Sequence, residues 1–562
     1  MSRFFGIYSS NALSPERNSL LERMRSMWSA HHASVKNTFE DENLCLYQVD
    51  FNEYGQPAWT DGVLHVGSLV GHPLITENRQ NDLETLLTSR RTAYAGFRHA
   101  EGAFCCVHYQ KHNRTLSLIT DALGLRPFYY AQFDDAIVFS TTLSVFAQLG
   151  INLTVNKDAV IEYATLGYYL LDHTPYMEVK CARPGTALSV STSSQIQLVK
   201  YFDWMNLIGE PVDTEHAVDS INSDFRQACE KYAGSDSHVL TTLSGGLDSR
   251  LITCELVRQQ KEVSAVNFSQ ADTQDLIYAR EFAASQPVHF SEVTVDDTQA
   301  SSVEIRLGKY WREQMHPQFD KVSRPQLAWS GNGGSVGVGF VYCGDDVYKA
   351  ACTQDKNRLA EAFIAQQYAQ VPRSLMKNAS YYQARLKQNI VRSLAEFDGI
   401  PLQQAYYLFL LHNDQHHHLA IPYEKVDEYQ MEFCVPFYSW KVLRHTLNVP
   451  MDELRRHKFY LSWLDKHYPE ALATPWQAYP GHIPCSLAST GTNQWSLVKR
   501  RRWKSKASLT ACYKSLSYGK SAGIRRAMFF VVCALHCLRI KNASSHIAFV
   551  NKITKWNTKM AS

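Results

Sequence analysis

Between residue 1 and about 200 the apolar positions fall into short runs separated by turn-forming residues: NLCLYQVDF, GVLHVGSLV, GAFCCVHYQ, TLSLITDA, PFYYAQF, DAIVFSTT and TALSVST. Runs of that length, rich in β-branched and aromatic side chains, predict a mostly antiparallel β domain with a few helices. From about 212 to 480 the period changes. Amphipathic stretches such as AVDSINSDFRQACEKYA and DLIYAREFAAS alternate with apolar strands such as EVSAVNFS and PVHFSEVTV, the rhythm of an α/β unit on a parallel sheet. Beyond about 490 comes a basic cluster, KRRRWKSK at 499–506, followed by helical or irregular segments. The expected units are therefore 1–205, 206–490 and a basic extension, 491–562, with no internal repeat among them.

One strand ends in a motif with chemical content. In HVLTTLSGGLDSRLIT, residues 238–253, an apolar run to Leu243 gives way to Ser244, Gly245 and Gly246. From Leu247 the apolar positions Leu247, Leu251, Ile252 and Leu256 recur at helical spacing. A strand–glycine turn–helix unit aims backbone N–H groups and the positive end of the helix at one point, which suits a phosphate. The plain alternative is a tight turn with no ligand. The turn holds no lysine, which separates it from the G-x-x-x-x-G-K-S/T loop. Ser244 and Ser249 can donate hydroxyl hydrogen bonds, Gly245 and Gly246 let the backbone approach phosphates, and Asp248 can hold Mg²⁺.

Composition narrows the class without naming a substrate. At 562 residues the chain can build two to four domains, and 45% hydrophobic with 20% charged residues is a globular composition. A net charge of +3 implies no nucleic-acid or membrane partner by itself. Thirteen scattered cysteines show no C-x-x-C pair, and MSRFFGIYSS does not read as a signal peptide, so a cytoplasmic protein is expected. The run AMFFVVCALHCL, 527–538, is too short to span a bilayer.

SGGLDS between a strand and a helix resembles the pyrophosphate loop of the N-type ATP pyrophosphatases, which cleave ATP between the α and β phosphates. Three other segments resemble asparagine synthetases in the same order. EGAFCCVHY with LSLITDALGLRPFYY matches their amidotransferase signature at Gly102, Phe104, Asp121, Gly124, Arg126, Pro127, Tyr129 and Tyr130. SAVNFSQADTQDLIYAREFA, 264–283, looks like the strand and helix that help seat the adenine, here through Asn267 and Phe268. YQMEFCVPFYS matches at Glu432, Pro436 and Phe437. The resemblance covers roughly residues 4–485. It implies an α+β N-terminal-nucleophile-type sandwich followed by an α/β parallel-sheet ATP pyrophosphatase domain. It also implies ATP and Mg²⁺ as cofactors, with a small-molecule carboxylate adenylated for attack by ammonia or an amine. Lys458 is the nearest positional candidate for the lysine that approaches the α-phosphate in such proteins, and Asp248 and Lys458 are the expected catalytic pair.

The departures are as specific as the matches. Phe5 stands where glutamine-using relatives expose a nucleophilic Cys, so the first domain is expected not to hydrolyse glutamine. Where relatives carry SGEGADELFGG, this chain has SGNGGSVGVGF. Ser330, Gly331, Gly333 and Gly339 are kept, and Asn332, Ser335 and Val336 replace three carboxylates. Asp345 and Asp346 further on read as a solvated turn, the alternative being that they substitute spatially for the lost carboxylates. Two readings stay open: an amide-forming ligase with its own substrates, and a nucleotide-binding homologue acting as a partner or regulatory subunit. HNDQHHH, with His412, His416, His417 and His418, reads as a structural or pocket-lining cluster rather than a metal site. KRRRWKSK does not carry a nucleic-acid reading, but with the apolar run after it leaves open a peripheral contact with an anionic membrane.

Overall fold

The computed structural model describes residues 3–11, 15–29, 35–88, 94–133, 136–191, 195–294, 303–314, 321–367, 373–424, 430–488, 491, 513, 524–543, 546–547 and 549–550. KRRRWKSK lies outside them. The seven apolar runs of the first two hundred residues all become strands, in two six-stranded sheets. One sheet runs Lys180–Cys181, Tyr129–Phe133, Ala136–Ser140, Arg3–Ser9, Leu44–Asp50, Val35–Glu40. The other runs Gln197–Lys200, Thr186–Val190, Thr115–Thr120, Phe104–Gln110, His65–Gly71, Trp59–Asp61. Every pairing within them is antiparallel.

Period-two alternation decides what each face of the first sheet touches. Phe4 and Tyr8 point between the sheets, onto a layer with Val66, Val107 and Leu118. Phe5 and Ile7 point the other way, onto Leu20, Leu21 and Met24 of the helix Pro15–Ser29. Cys105 and Cys106 are buried free thiols on opposite faces of one strand.

The second sheet system is parallel throughout: Val288–Thr294, Glu262–Ser269, His238–Thr242, Leu327–Trp329, Glu432–Cys434. Its spatial order, counted along the chain, is 3-2-1-4-5. The order reverses between His238–Thr242 and Leu327–Trp329, and in such sheets a crevice opens outside the carboxyl ends of the strands at that reversal. The two loops that leave those strands are Leu243–Gly246 and Ser330–Gly333. Both are glycine-rich for the same reason: each must turn sharply and lie close to a neighbour.

Residues the sequence matched in separate signatures meet across the seam between the two halves. Arg126 Nη1 and Glu432 Oε2 form an ion pair at 2.5 Å, with both side chains at most 2% exposed. The guanidinium also lies 4.1 Å from the centre of the Tyr423 ring. Asp121 accepts backbone N–H bonds from Phe104, Leu123, Leu125 and Arg126, shaping the loop that delivers Arg126. Burial nevertheless pushes its carboxyl up to about 6. Gly124, at φ +58°, makes room for His416, whose Nδ1 lies 3.2 Å from the Leu123 carbonyl. Glu101 is buried from the other direction, against Lys231, Lys441 and the Ser439 hydroxyl.

Candidate active site

At the crevice, the strand His238–Thr242 feeds the glycine turn and then the helix Leu247–Arg258, called here the cleft helix. Gly246 caps it with extended backbone and no side-chain hydrogen bond. The first N–H groups of a helix have no intrahelical acceptor, and with a bare glycine cap they face the crevice. The turn itself is organised differently from the expectation. Ser244 N–H donates to Ser249 Oγ (2.9 Å), Gly245 N–H to Asp275 Oδ1 (2.9 Å) and Gly246 N–H to Ser244 Oγ (3.2 Å). The three donors are spent on holding the turn, so an anion must be met by the first helical turn. Asp275 is the brace: it also accepts from Asn267 Nδ2 and from the Ser269 hydroxyl.

The loop 330–340 is pressed against the start of the cleft helix. A Cβ on Gly331 would lie 2.8 Å from the Ser249 nitrogen, and one on Gly334 would lie 2.8 Å from the Asp248 carboxylate. The first neighbour is backbone and the second is a carboxylate held by Ser335, so close approach favours glycine at both positions. That contact lets Ser335 donate to Asp248 twice, from its N–H (3.0 Å) and from its hydroxyl (3.0 Å). Even so, burial outweighs these bonds and pushes the Asp248 carboxyl above its ordinary range. The Tyr460 phenol facing it is raised well above the usual value, by burial first and the Asp248 charge second.

Two adjoining cavities share Ser244, Asp248, Phe268, Asp275, Ser335 and Tyr479. The one of about 260 Å³ is lined by Ser249, Asn267, Ser330, Gly331 and Gly333 as well. The one of about 300 Å³ reaches Gly246, Arg306, His457, Trp476, Gln477 and His482. Nine of the ten expected nucleotide-binding residues thus border one crevice. Gly245 lies behind it, packed on Asp275.

Lys458 is not brought in. Its ammonium lies 3.3 Å from Asp452 and 3.8 Å from Glu453 on an exposed face, and among the described residues no lysine lines either cavity. The residue before it, His457, does face the crevice. Its ring stacks on Tyr479 and its Nδ1 is 2.7 Å from His482 Nδ1, with burial lowering its imidazole to about 3. Asp345 is solvated, but on a helix rather than a turn: it opens the helix Asp345–Cys352 and pairs with Arg455 and Arg456, away from the cavities. Of the histidine cluster, His412 and His416 are buried and His417 is half-buried, all three with pKa values lowered by desolvation. His418 alone reaches the crevice, 3.4 Å from Asn332.

The residues fit a nucleotide with one Mg²⁺. The Asn267 carbonyl oxygen and the Gln477 amide nitrogen are buried with no hydrogen-bond partner among the described residues, an acceptor on one side of the crevice and a donor on the other. Among the described residues no cluster of three or more His, Cys, Asp and Glu could hold a metal alone. Mg²⁺ is commonly held by one or two carboxylates plus substrate phosphates, a role open to Asp248.

Family models agree with this division. One described as a glutamine amidotransferase domain matches residues 75–202, and one described as asparagine synthase matches residues 220–346. Asparagine synthetase (glutamine-hydrolyzing) 1 of Bacillus subtilis (strain 168) is 23% identical over 310 residues, 51% of this chain and 49% of its own. Asparagine synthetase (glutamine-hydrolyzing) 3 of the same organism is 27% identical over 164 residues, 28% of this chain and 25% of its own. The chain spans about half the length of the first relative and a quarter of the second. A solved allosteric regulatory enzyme of purine biosynthesis aligns with 52% of this chain and 80% of its own at 11% identity, with a TM-score of 0.24, too low to support an argument. An amidotransferase-type sandwich ahead of a synthase-type parallel sheet defines the class. Over those segments the chain is similar to the asparagine synthetases.

Proposed function

We propose that the protein is an ATP-dependent, AMP-forming ligase that adenylates a carboxylate, releasing pyrophosphate, for attack by ammonia or an amine. The observation that carries this reading is the crevice itself: the bare-capped helix, Asp248 and the two glycine loops meet at the sheet's reversal point. A free carboxylate is a poor electrophile, and transfer of AMP to it supplies a leaving group. The N–H groups of Leu247–Ser249 would meet the phosphates, and Asp248 would hold Mg²⁺, which supplies charge neutralisation when bound. Asn267 and Phe268 would border the base, and Ser330, Gly331 and Gly333 the nucleoside. The units 1–205, 206–490 and 491–562 serve this reading as scaffold, catalytic domain and appended segment.

The first domain would act without glutaminase chemistry. Phe5 is 2% exposed, lies in mid-strand with its backbone paired to Tyr47 and Ser140, and packs on Trp28 and Tyr47.

A second reading, nucleotide binding with little turnover, draws on one observation. Ser335, standing where relatives carry a carboxylate, occupies both Asp248 oxygens, and among the described residues no lysine faces the phosphate end. Pyrophosphate release from Mg²⁺-ATP across a panel of carboxylates, with Asp248→Ala as control, separates the two. Acceptor-dependent release lost in the variant supports the ligase. ATP binding without release supports the second reading, and no ATP binding defeats both.

A further inference from the structure

The chain's near-neutral charge conceals a strong division. Residues 471–562 hold 15 Lys and Arg and no Asp or Glu, while residues 1–470 hold 42 basic and 54 acidic side chains. The described part of that basic end contains the helix Arg526–Cys537. Its inner side is already committed to the body. Ile524, Phe529, Cys533 and His536 are at most 3% exposed, Ile524 bridges Met376, and the Arg525 N–H donates to the Leu375 carbonyl. An ordinary surface helix would then present polar residues outward. This one presents Met528 (43% exposed), Phe530 (58%) and Val531 (50%), and beyond its end Leu538 (69%) and Ile540 (68%).

The outward pose is built into the backbone. Arg539, in left-handed conformation at φ 58°, closes the helix, Ile540 N–H returns to the Leu535 carbonyl, and Ala543 N–H is held by His536 Nδ1. Exposed cations bracket the apolar face at both ends: Arg525 and Arg526 before it, Arg539 and Lys541 after it. At about 18 Å the helix is too short to cross a hydrocarbon core of about 30 Å. No described helix is long and apolar enough to span a membrane.

We propose that this face docks the protein on an anionic lipid bilayer, Met528, Phe530, Val531, Leu538 and Ile540 entering the interface while Arg525, Arg526, Arg539 and Lys541 meet lipid phosphates and carboxylates. The complementarity selects this occupant. Nucleic acid would match the cations but would gain nothing from five exposed aliphatic, thioether and phenyl groups. An apolar protein surface would match those groups but not a bracket of four cations without an acid among them.

The test uses the full chain in flotation with vesicles of phosphatidylcholine alone and of phosphatidylcholine with roughly one-third phosphatidylserine. Expected is partition onto the anionic vesicles only, weakening as salt rises. Replacing Arg525, Arg526, Arg539 and Lys541 by Gln should weaken partition about fivefold per charge. The triple variant Phe530→Ser, Val531→Ser, Leu538→Ser should weaken it at least tenfold, with circular dichroism and thermal midpoint unchanged because these side chains touch solvent. Absence of partition by the intact chain overturns the proposal. So does self-association, or RNA binding, that the triple variant abolishes while vesicle partition persists.

Discussion

The middle of the first strand and the end of the strand before Ser244 lie in the same chain, and they are built in opposite ways. Around Phe5 everything is packing: a phenyl ring 2% exposed, with Trp28 and Tyr47 rings at 6.0 and 5.4 Å. Around Asp248 the chain leaves cavities of about 300 and 260 Å³ and keeps a carboxylate whose charge its surroundings disfavour. Filling a cavity with an aromatic ring stabilises a fold; holding a buried carboxylate beside open space does the reverse. A region maintained against stability is the better candidate for chemistry, and the filled region for scaffold. The seam between them, with Arg126–Glu432 and the buried histidines, is what would let one support the other.

Acid should break that seam first. His412 and His417 sit well below the ordinary imidazole value and His416 at about 4, all through burial. Groups lowered in the fold are neutral there and protonate when unfolded, so the unfolded state binds more protons. Stability is present above about 6.5 and is lost as pH falls toward about 4, at up to ~4 kcal/mol per pH unit for three such groups. Two carboxyls raised by burial, Asp121 to about 6 and Asp414 in the histidine cluster, act in the opposite sense. Urea unfolding from pH 7 down to 5 measures this, and a flat midpoint would show that the histidines are not the seam's weak point.

Next in size is Arg126→Ala, which leaves the Glu432 carboxylate buried without a counter-charge and should remove about 3–5 kcal/mol. Arg126→Met with Glu432→Leu should recover much of it, because the loss comes from the unpaired charge. Equal losses in single and double variants would mean the pair acts through shape alone.

Phe5→Cys addresses the filled region directly. It should lower stability by about 2–4 kcal/mol through the cavity left under the helix Pro15–Ser29. It should also release no glutamate from glutamine, since that residue is paired on both sides in mid-strand. Glutamate release would overturn the scaffold reading.

What the sequence made legible follows from distance along the chain. Strands came from local alternation, and the cleft was found because its glycines and hydroxyls are contiguous at 244–249. The Arg126–Glu432 pair joins residues from two signatures, a relation that periodicity does not report. His457, Trp476, Gln477 and Tyr479 reach the crevice from a returning segment, 457–484, that matches only loosely the closing segment of asparagine-synthetase-like proteins. Lys458 matches by position alone. Yet His457 and Arg456, both at positive φ, turn the chain so that the histidine faces inward and the lysine outward. The role of Asp275 was hidden for another reason: its partners are backbone N–H and neutral side chains, which leave no charge pattern to read.

Asp248 offers a smaller effect of opposite sign. Its carboxyl is raised in the fold, so the ionised form present at neutral pH works against stability. Asp248→Asn should raise the thermal midpoint while removing Mg²⁺-dependent nucleotide binding. A lowered midpoint would mean that the Ser335 bonds outweigh burial.

The smallest change tests the cleft most finely. Ser335 donates to both oxygens of Asp248, and bonds to the charged form hold a carboxyl pKa down. Ser335→Ala keeps the backbone donor and removes the hydroxyl, a bond to a charged acceptor that contributes about 1.5–3 kcal/mol before water or repacking compensates. The Asp248 pKa should therefore rise further, and the pH below which Mg²⁺-ATP affinity falls should move upward. Affinity well above that pH should change little, because the metal keeps the carboxylate ionised once bound. Ser335→Asp sharpens the contrast by setting a second carboxylate against the first. Without metal the like charges should raise both pKa values and loosen the cleft, and with Mg²⁺ they should give tighter metal dependence than the natural serine. If neither variant moves the pH profile of nucleotide binding, Asp248 is not the group that holds the metal, and the open region has no better claim to chemistry than the filled one.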